Sequence, residues 1–314
     1  MTESLSTWEH GAQALALLDA ARSRGYLGFL AEPRTTAEVA VFAGHPADDL
    51  LAAFEAHGLI VRTADKVQLE PGLAAALSAA APVDLAAQIA RASLLARQVA
   101  DVVTTGAAPV TPAEAVVIAR SVALTPNDAA RAIVTQILDA VPEMRDAITD
   151  GRLLDVGSGA GGFVLTAASL LPGLRATTLE LLPSVTAAAT ERAHALGVTD
   201  RVDIRTTDAR DFADPAPYDA AFWAQPFFPE DTRPATLAMI RRSLRPHGLL
   251  LIQQLDTDDG TPAATLRRLV ARAQGLPFAR PLPALVTESE AAGFELLRTL
   301  EIDLGRIALL RRPA

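Results

Sequence analysis

Four glycines follow a short apolar run and an acid in the middle of the chain. The run Leu153 to Val156 includes Asp155 and leads directly into Gly157 to Gly162, and an apolar segment suited to a helix comes next. This order predicts a buried strand, a tight turn and a helix N-terminus. Glycine suits such a turn because it adopts positive φ and lets a ligand lie against the backbone. The exposed N–H groups of the helix start can then hold anionic or polar ligand atoms.

The glycine spacing by itself fits two kinds of cofactor. With Gly157, Gly159 and Gly162 it is the G-x-G-x-x-G pattern of dinucleotide-binding enzymes. With Asp155, Gly157, Gly159 and Gly161 it is the nucleoside-binding turn of methyltransferases. Both cofactors contain adenosine, so other parts of the chain have to separate them.

Acids at the ends of two further strands can bind the adenosine. Glu180 follows the turn by about twenty residues, where a carboxylate accepts hydrogen bonds from both ribose hydroxyls. Asp208 ends the next strand and can accept from the exocyclic amine of adenine, with the small Ala209 beside the base. The structural alternatives are a helix cap for Glu180 and a solvated turn for Asp208. Asp155 is expected to hold the turn and the amino group of the ligand rather than to act as a base.

The position of the turn in the chain favours S-adenosylmethionine. Dehydrogenases usually carry the turn early and follow it with a second half-sheet, whereas here residues 1–152 precede it and one sheet follows. Strands are predicted at 153–156, 175–179, 202–206, 218–224 and 249–253, with helices that include 183–196 and 233–244. Two last strands, 294–300 and 306–310, are separated by the turn Asp303-Leu304-Gly305 and must therefore pair antiparallel. A parallel sheet closed by such a hairpin is unlike the usual dinucleotide-binding sheet.

The segment before residue 70 is predicted to form a small helical unit with a hairpin. After a helix within 11–30, Thr36 is expected to cap a helix over 37–42, and Pro46 opens another that ends at Gly58. Strands at 59–62 and 66–69 follow, and this order is that of a winged helix. DNA binding is disfavoured because the second helix carries Asp48, Asp49 and Glu55 and no Lys or Arg. A dimerisation and substrate-lid module is favoured.

The rest of the N-terminal region is predicted to be helical. Helices are expected at 84–103, 112–124 and 127–141, and the break from Thr105 to Pro109 suggests domains at 1–108 and 109–314.

Composition excludes several functional classes. The chain has 314 residues and a net charge of −9, which argues against nucleic acid held on a basic face. It has no cysteine, and its five histidines form no closely spaced pair, so no metal site is expected. Neither a signal peptide nor a membrane span is predicted, and a cytoplasmic protein without membrane partners is expected.

These motifs together resemble class I S-adenosylmethionine-dependent methyltransferases, specifically the bacterial small-molecule enzymes similar to hydroxyindole and plant phenolic O-methyltransferases. The resemblance covers nearly the whole chain. It rests on the segments 36–69, 105–106, 153–161, 176–183, 200–208 and 241–248. It implies an α/β fold with a Rossmann-like seven-stranded sheet and a C-terminal antiparallel hairpin, plus a mainly helical winged-helix domain that forms a homodimer. The cofactor would lie over the strand ends and a small-molecule substrate between the domains. The implied cofactor-binding residues are Asp155, Gly157, Ser158, Gly159, Gly161, Glu180, Leu181, Asp208, Ala209 and Trp223.

The catalytic position departs from the family pattern. Phenolic O-methyltransferases carry His-Asp-Trp after the fourth strand, and the matching place here is Ala224-Gln225-Pro226-Phe227-Phe228. Glutamine is not a base, so Gln225 is predicted to orient an acceptor that needs little or no deprotonation. The segment loosely resembles the Asn/Asp-Pro-Pro-Tyr/Phe loop of N-methyltransferases. Glu230 could bind a substrate cation or accept a proton, or it could be a surface charge. The predicted substrate residues are Phe163, Gln225, Phe227, Phe228 and Glu230.

The sequence thus predicts methyl transfer from S-adenosylmethionine to a nitrogen, carbon or oxygen of a small specialised metabolite, mainly through proximity and orientation. Two alternatives stay open. One is a winged-helix regulator with a cofactor-sensing domain, and the other is an S-adenosylmethionine-binding protein that does not methylate.

Overall fold

The computed structural model describes residues 2–255, 258–302 and 305–314. Its helices are α1 (Thr2–Ser23), α2 (Tyr26–Phe29), α3 (Thr36–Ala43), α4 (Asp48–Ala56), α5 (Pro71–Leu77), α6 (Leu85–Thr105), α7 (Pro112–Val122), α8 (Asp128–Ala140), α9 (Pro142–Thr149), α10 (Gly162–Leu170), α11 (Pro183–Leu196), α12 (Arg233–Ser243), α13 (Pro262–Ala273) and α14 (Leu282–Ala291). Its strands are β1 (Arg34–Thr35), β2 (Ile60–Thr63), β3 (Lys66–Leu69), β4 (Arg152–Val156), β5 (Arg175–Glu180), β6 (Val202–Thr206), β7 (Tyr218–Trp223), β8 (Leu244–Gln254), β9 (Glu295–Ile302) and β10 (Gly305–Arg311).

The predicted order of two helices and a hairpin is present in the N-terminal region. Helices α3 and α4 precede the antiparallel pair β2–β3, and the unpredicted strand β1 pairs with β3 to give the order β1-β3-β2. Buried apolar side chains from these helices and strands form one core, to which Leu30, Leu51 and Phe54 contribute.

The prediction that Thr36 caps the first of these helices is wrong. Thr35 caps α3: its hydroxyl accepts from the Glu38 N–H at 3.3 Å, and its own N–H donates to the Glu38 carboxylate at 2.7 Å. Thr36 is instead the first helical residue. The pair satisfies two backbone donors that the helix start would otherwise leave open.

A seven-stranded sheet forms the C-terminal region, as predicted. Its order is β6-β5-β4-β7-β8-β10-β9, in which β6 to β8 run parallel and β10 pairs antiparallel with both β8 and β9. The closing hairpin is confirmed, although Asp303 and Leu304 of its predicted turn lie outside the described residues.

Both faces of the sheet are covered, which explains the nearly continuous apolar strands. Successive residues of β4 alternate between two cores: Leu153 packs with α8, α9 and α10, and Leu154 packs with α12 and α14 on the opposite face. The ends of the parallel strands, where the candidate residues lie, are therefore held on a rigid support.

Several helical features differ from the prediction. Helix α1 starts at Thr2, and its residues 5–13 are all exposed. Helix α9 occupies 142–149, where only a lead into the first strand was expected. Helices α13 and α14 lie between β8 and β9, where nothing was predicted. Each of α9, α13 and α14 has a proline in its first turn, a position that suits the start of a helix.

The predicted division at 108/109 falls in the loop between α6, which ends at Gly106, and α7. Hydrogen bonds cross this division: the Asn127 side-chain amide donates to the carbonyls of Ala79 and Ala81 at 3.0 and 2.7 Å. The domain assignment itself stays a prediction. Among the described helices, none combines the length and apolar character that a bilayer crossing requires.

Candidate functional site

The glycine turn connects the end of β4 to the start of α10. Gly157, Gly159 and Gly161 have φ of +76°, +55° and +74°, a region that favours glycine. The N–H groups of Gly157 and Ser158 both donate to the Leu179 carbonyl, at 2.9 and 3.2 Å. The turn is therefore fixed against the end of β5, the strand that carries Glu180.

Two of the glycines are also required by close packing. A Cβ at Gly157 would lie 2.6 Å from the Phe228 ring, and one at Gly162 would lie 2.6 Å from the Leu124 backbone nitrogen. At Gly159, by contrast, the nearest atom to a Cβ would be 3.9 Å away. The side of the turn at Gly159 is thus the open one, which a ligand can approach.

Glu180 lies directly across from this open position. One carboxylate oxygen accepts from the Gly159 N–H at 3.1 Å, and the other accepts from the Leu182 N–H at 3.0 Å. Burial raises the pKa of the Glu180 carboxyl, and the backbone donors oppose that rise. The structure therefore brings together the turn and the acid that the sequence assigned to one nucleoside.

Asp155 lies beneath the turn and is buried. Its Oδ1 atom has no hydrogen-bond partner among the described residues. Burial raises the pKa of this carboxyl to about 8, and the negative charge of Glu180 adds to the rise. Asp155 is consequently mostly protonated at pH 7 unless a cation lies close to it.

Asp208 is engaged by a residue that the sequence analysis missed. The Arg210 guanidinium binds both carboxylate oxygens, with the shortest contact at 2.6 Å, and lowers the pKa of Asp208. Asp208 also accepts from the Arg210 N–H and so begins a short 3-10 helix that contains the buried Ala209. The signal was an arginine two residues after the acid.

The other predicted cofactor residues lie in unlike surroundings. Ser158 is in the turn, and its hydroxyl is buried without a partner among the described residues. Leu181 is 60% exposed beside Glu180. Trp223 is buried in the core at the end of β7, with the Arg233 guanidinium carbon 4.7 Å from its ring centroid and Phe228 edge-on at 5.6 Å. A cofactor contact through Trp223 would have to be made at the edge of this stack.

The predicted acceptor segment begins with a short 3-10 helix, Gln225–Phe227. Gln225 is buried, and its amide is used on both sides: Oε1 accepts from Arg233 at 3.2 Å, and Nε2 donates to the Gln253 carbonyl at 3.3 Å. Phe227 is exposed, whereas Phe228 covers Gly157. Because its amide is already bonded, Gln225 holds the segment in place in addition to any contact with an acceptor.

Phe163 and Glu230 contact different partners. Phe163 packs on Phe222 with ring centroids 4.9 Å apart, on the sheet face that carries α10. The Glu230 carboxylate forms an ion pair with Arg280, but its side chain is 58% exposed, so Glu230 is a surface charge that has a partner. Arg233, Arg280 and Glu288 were not singled out from the sequence, because no local motif links them.

A narrow cleft opens beside Gln225. It is lined by Gln225, Pro226, Leu255, Pro277, Ala279 and Arg280, and of these only Arg280 carries a titratable side chain. The described residues contain no cluster of three or more histidines and acids placed to hold a metal ion.

Residues 153–248, which hold the turn and both strand-end acids, match the family described as methyltransferase domain. The chain therefore contains a methyltransferase domain, as the sequence predicted.

Two curated relatives share parts of the chain. The chain is 36% identical over 112 residues to 3-hydroxy-5-methyl-1-naphthoate 3-O-methyltransferase from Streptomyces sahachiroi, covering 34% of this chain and 32% of the relative. It is 42% identical over 77 residues to ribosomal RNA small subunit methyltransferase G from Synechococcus sp. (strain WH7803), covering 23% and 30%. The chain thus spans about a third of the length of the curated relatives it matches.

Solved structures match the whole chain and confirm the fold. An O-methyltransferase family protein from Burkholderia thailandensis has a TM-score of 0.74 at 18% identity, with 100% of this chain and 98% of that chain covered. Human N-acetylserotonin methyltransferase, solved with S-adenosylmethionine, has a TM-score of 0.71 at 19% identity, with 100% and 97% covered.

Proposed function

We propose that the protein binds S-adenosylmethionine at the glycine turn and transfers its methyl group to a small-molecule acceptor in specialised metabolism. The observation that carries this proposal is the geometry of Glu180, whose carboxylate meets the Gly159 N–H at 3.1 Å on the open side of the turn. That carboxylate is positioned to take both ribose hydroxyls, as strand-end acids do in nucleoside sites. Asp208, Ala209, Ser158 and Leu181 would complete the cofactor site.

The buried Asp155 would bind the positively charged amino group of S-adenosylmethionine. S-adenosylmethionine supplies an electrophilic methyl group on a sulfonium for in-line displacement by the acceptor. A nearby cation favours the ionised form of a carboxyl whose pKa burial has raised. Asp155 would therefore lose its proton when the cofactor binds and would gain a partner for its unpaired Oδ1.

The acceptor is proposed to need no base from the protein. The predicted acceptor segment offers the amide of the buried Gln225, and an amide does not take a proton. An acidic phenol or enol, or a neutral nitrogen, needs no such base. Proximity to the methyl group and correct orientation then account for the acceleration of the reaction. The O-methyltransferase from Streptomyces sahachiroi favours oxygen within this set.

Ribosomal RNA, the substrate in the name of the other curated relative, is a poorer candidate. The net charge of −9 would repel a polynucleotide. Asp48 and Asp49 lie in the first turn of α4, and Glu55 near its C-terminal end is paired with Arg62 at 2.7 Å. These features also argue against the winged-helix regulator.

We propose that the N-terminal region is a winged-helix module that joins two copies of the chain. The support is α1, whose residues 5–13 are all exposed and include Leu5 at 63% and Trp8 at 72%. Large apolar side chains that stay exposed on one helix are suited to be buried against a partner. The cytoplasmic location stays a prediction.

Calorimetry with S-adenosylmethionine tests the cofactor site. We expect the wild-type protein to bind and Glu180→Ala to lose at least about tenfold in affinity, because two hydroxyl contacts are removed. The matched control is Glu191→Ala, which removes an acid on α11 that is 77% exposed. Equal affinity in Glu180→Ala and the control would refute the ribose assignment.

Mass spectrometry tests the reaction. With S-adenosylmethionine and 3-hydroxy-5-methyl-1-naphthoate, we expect a product heavier by one methyl group. The protein could instead bind the cofactor but methylate neither this compound nor any phenol, enol or amine in a panel. That result would support the alternative of an S-adenosylmethionine-binding protein that does not methylate.

A further inference from the structure

The acceptor segment is tied to α14 at both of its ends. At one end, Arg233 donates to the Gln225 carbonyl at 2.7 Å and to its amide oxygen at 3.2 Å. At the other end, Arg280 forms an ion pair with Glu230. Glu288 of α14 binds both arginines, with contacts of 2.8 and 2.7 Å to Arg233 and 3.4 Å to Arg280. We call Arg233, Arg280 and Glu288 the clamp.

Burial makes the Arg233–Glu288 pair of the clamp rigid. The Arg233 side chain is 0% exposed and that of Glu288 is 16% exposed, so their fork-to-fork contact is largely shielded from water. Arg233 is also the first residue of α12, where the helix dipole disfavours a positive charge. The donors of Arg233 go to the Glu288 carboxylate and to the carbonyl and amide oxygens of Gln225.

The segment held by the clamp also contacts the glycine turn. Arg233 stacks on Trp223, and Phe228 meets the edge of the same indole. Phe228 in turn covers Gly157 so closely that a Cβ there would lie 2.6 Å from its ring. Moving Gln225 would therefore displace Phe228 from the turn, because both belong to one short segment packed on one tryptophan.

We infer that Arg233 and Glu288 are positioning residues, which fix the 225–230 segment, and with it the acceptor, against the methyl donor at the glycine turn. The inference about the acceptor rests on the proposed function, whereas the fixing of the segment does not. Two positive and two negative side chains make the clamp and Glu230 electrically neutral, so the arrangement needs no bound ion to balance it.

The decisive variant is Arg233→Met combined with Glu288→Leu. Removing one member alone leaves the other buried without its partner, but replacing a buried pair by apolar residues of similar size is often neutral for stability. The double variant thus separates stability from positioning. The matched control is Arg298→Met with Glu143→Leu, a more exposed ion pair elsewhere in the same region.

Hydrogen exchange over residues 222–232, which needs no acceptor, is the main measurement. We expect the double variant to melt near the wild-type temperature while amides of this segment exchange at least about tenfold faster, with the control unchanged. S-adenosylmethionine affinity should change by less than about threefold. With 3-hydroxy-5-methyl-1-naphthoate, kcat should fall at least about tenfold. A well-folded double variant with wild-type exchange in the segment would overturn the inference.

Two further results keep the inference testable. If the double variant does not fold, Arg233→Lys retains the charge opposite Glu288 but cannot contact Glu288 and both Gln225 oxygens at once, and it should show the same local increase in exchange. If the wild-type protein binds no S-adenosylmethionine, the proposed function fails, yet the exchange result still decides whether the clamp fixes the segment.

Discussion

Asp155 and Glu180 lie on neighbouring strand ends, and both are withdrawn from water. Their strands pair in parallel, and the negative charge of Glu180 disfavours ionisation of Asp155. Backbone N–H groups compensate Glu180, whereas Oδ1 of Asp155 has no partner among the described residues. The buried carboxyls of Asp155 and Glu180 therefore stabilise the folded protein less than apolar side chains would. They are suited to bind a cation.

Asp155→Asn should stabilise the protein in a pH-dependent way. The folded-state pKa of about 8 exceeds the ordinary value of 3.8, so between these values the folded chain keeps a proton that the unfolded chain loses. Wild-type stability should consequently fall by about 1.4 kcal/mol per pH unit as pH rises through this window. Asparagine does not titrate, so the advantage of the variant should grow from pH 5 to pH 8.

Urea unfolding at a series of pH values measures this effect. Asp200→Asn is the control, because its carboxylate is 74% exposed. An advantage of Asp155→Asn that stays constant across the series would show that Asp155 does not hold its proton in the folded state.

Helices in this chain begin where a side chain or a proline satisfies the first backbone donors. Thr35, Thr111, Asn127 and Thr261 each accept from an N–H three residues on, and prolines open several other helices. These signals are local and place helix starts to within about a residue or two. The error at α3 arose because two threonines stand side by side.

Thr35→Ala should destabilise the N-terminal region, and Thr36→Ala should not. Loss of the Thr35 hydroxyl removes the cap at the Glu38 N–H and costs about 1 kcal/mol. Thr36 lies in the first turn without a capping bond, and alanine is at least as good a helix former there. Thermal unfolding followed by circular dichroism compares the two; a larger loss in Thr36→Ala would contradict the assigned cap.

At the scale of the whole molecule, the N-terminal and C-terminal regions differ in what they expose. In the C-terminal region the glycine turn and the clamp lie at the strand ends of the sheet, and in the N-terminal region residues 5–13 of α1 are exposed. Large apolar side chains exposed together on such a segment are typical of an interface. Their burial by a second copy is the simplest way to remove them from water.

Replacing Leu5 and Trp8 by glutamate should convert a dimer into a monomer. The two side chains are 63% and 72% exposed, so the change costs nothing inside one chain but introduces two charges into the proposed interface. Light scattering during gel filtration gives the mass. Leu266→Glu on α13, 45% exposed, is the control and should leave the mass unchanged. A monomeric wild-type protein would contradict the dimer.

Most of the fold could be predicted, because strands and capped helices carry local signals. The predicted ranges 183–196 and 202–206 coincide with α11 and β6, whereas the strand predicted at 249–253 is longer in the structure because β8 begins at Leu244. Helices α13 and α14 were not predicted, although each has a proline in its first turn. Arg233 and Glu288 were missed because they are 55 positions apart, and nothing in either local sequence indicates the other.

The sequence alone determined the glycine turn, the acid at the end of the following strand and the antiparallel closing hairpin. Each follows from backbone rules that act over a few residues: positive φ at glycine, alternation along a strand, and the short connection that excludes a parallel pair. Only the tertiary structure decided that the Gln225 amide is already bonded, that Phe228 covers Gly157 and that burial raises the pKa of Asp155 to about 8. Those depend on atoms that folding brings together from distant parts of the chain, and on the water that folding removes.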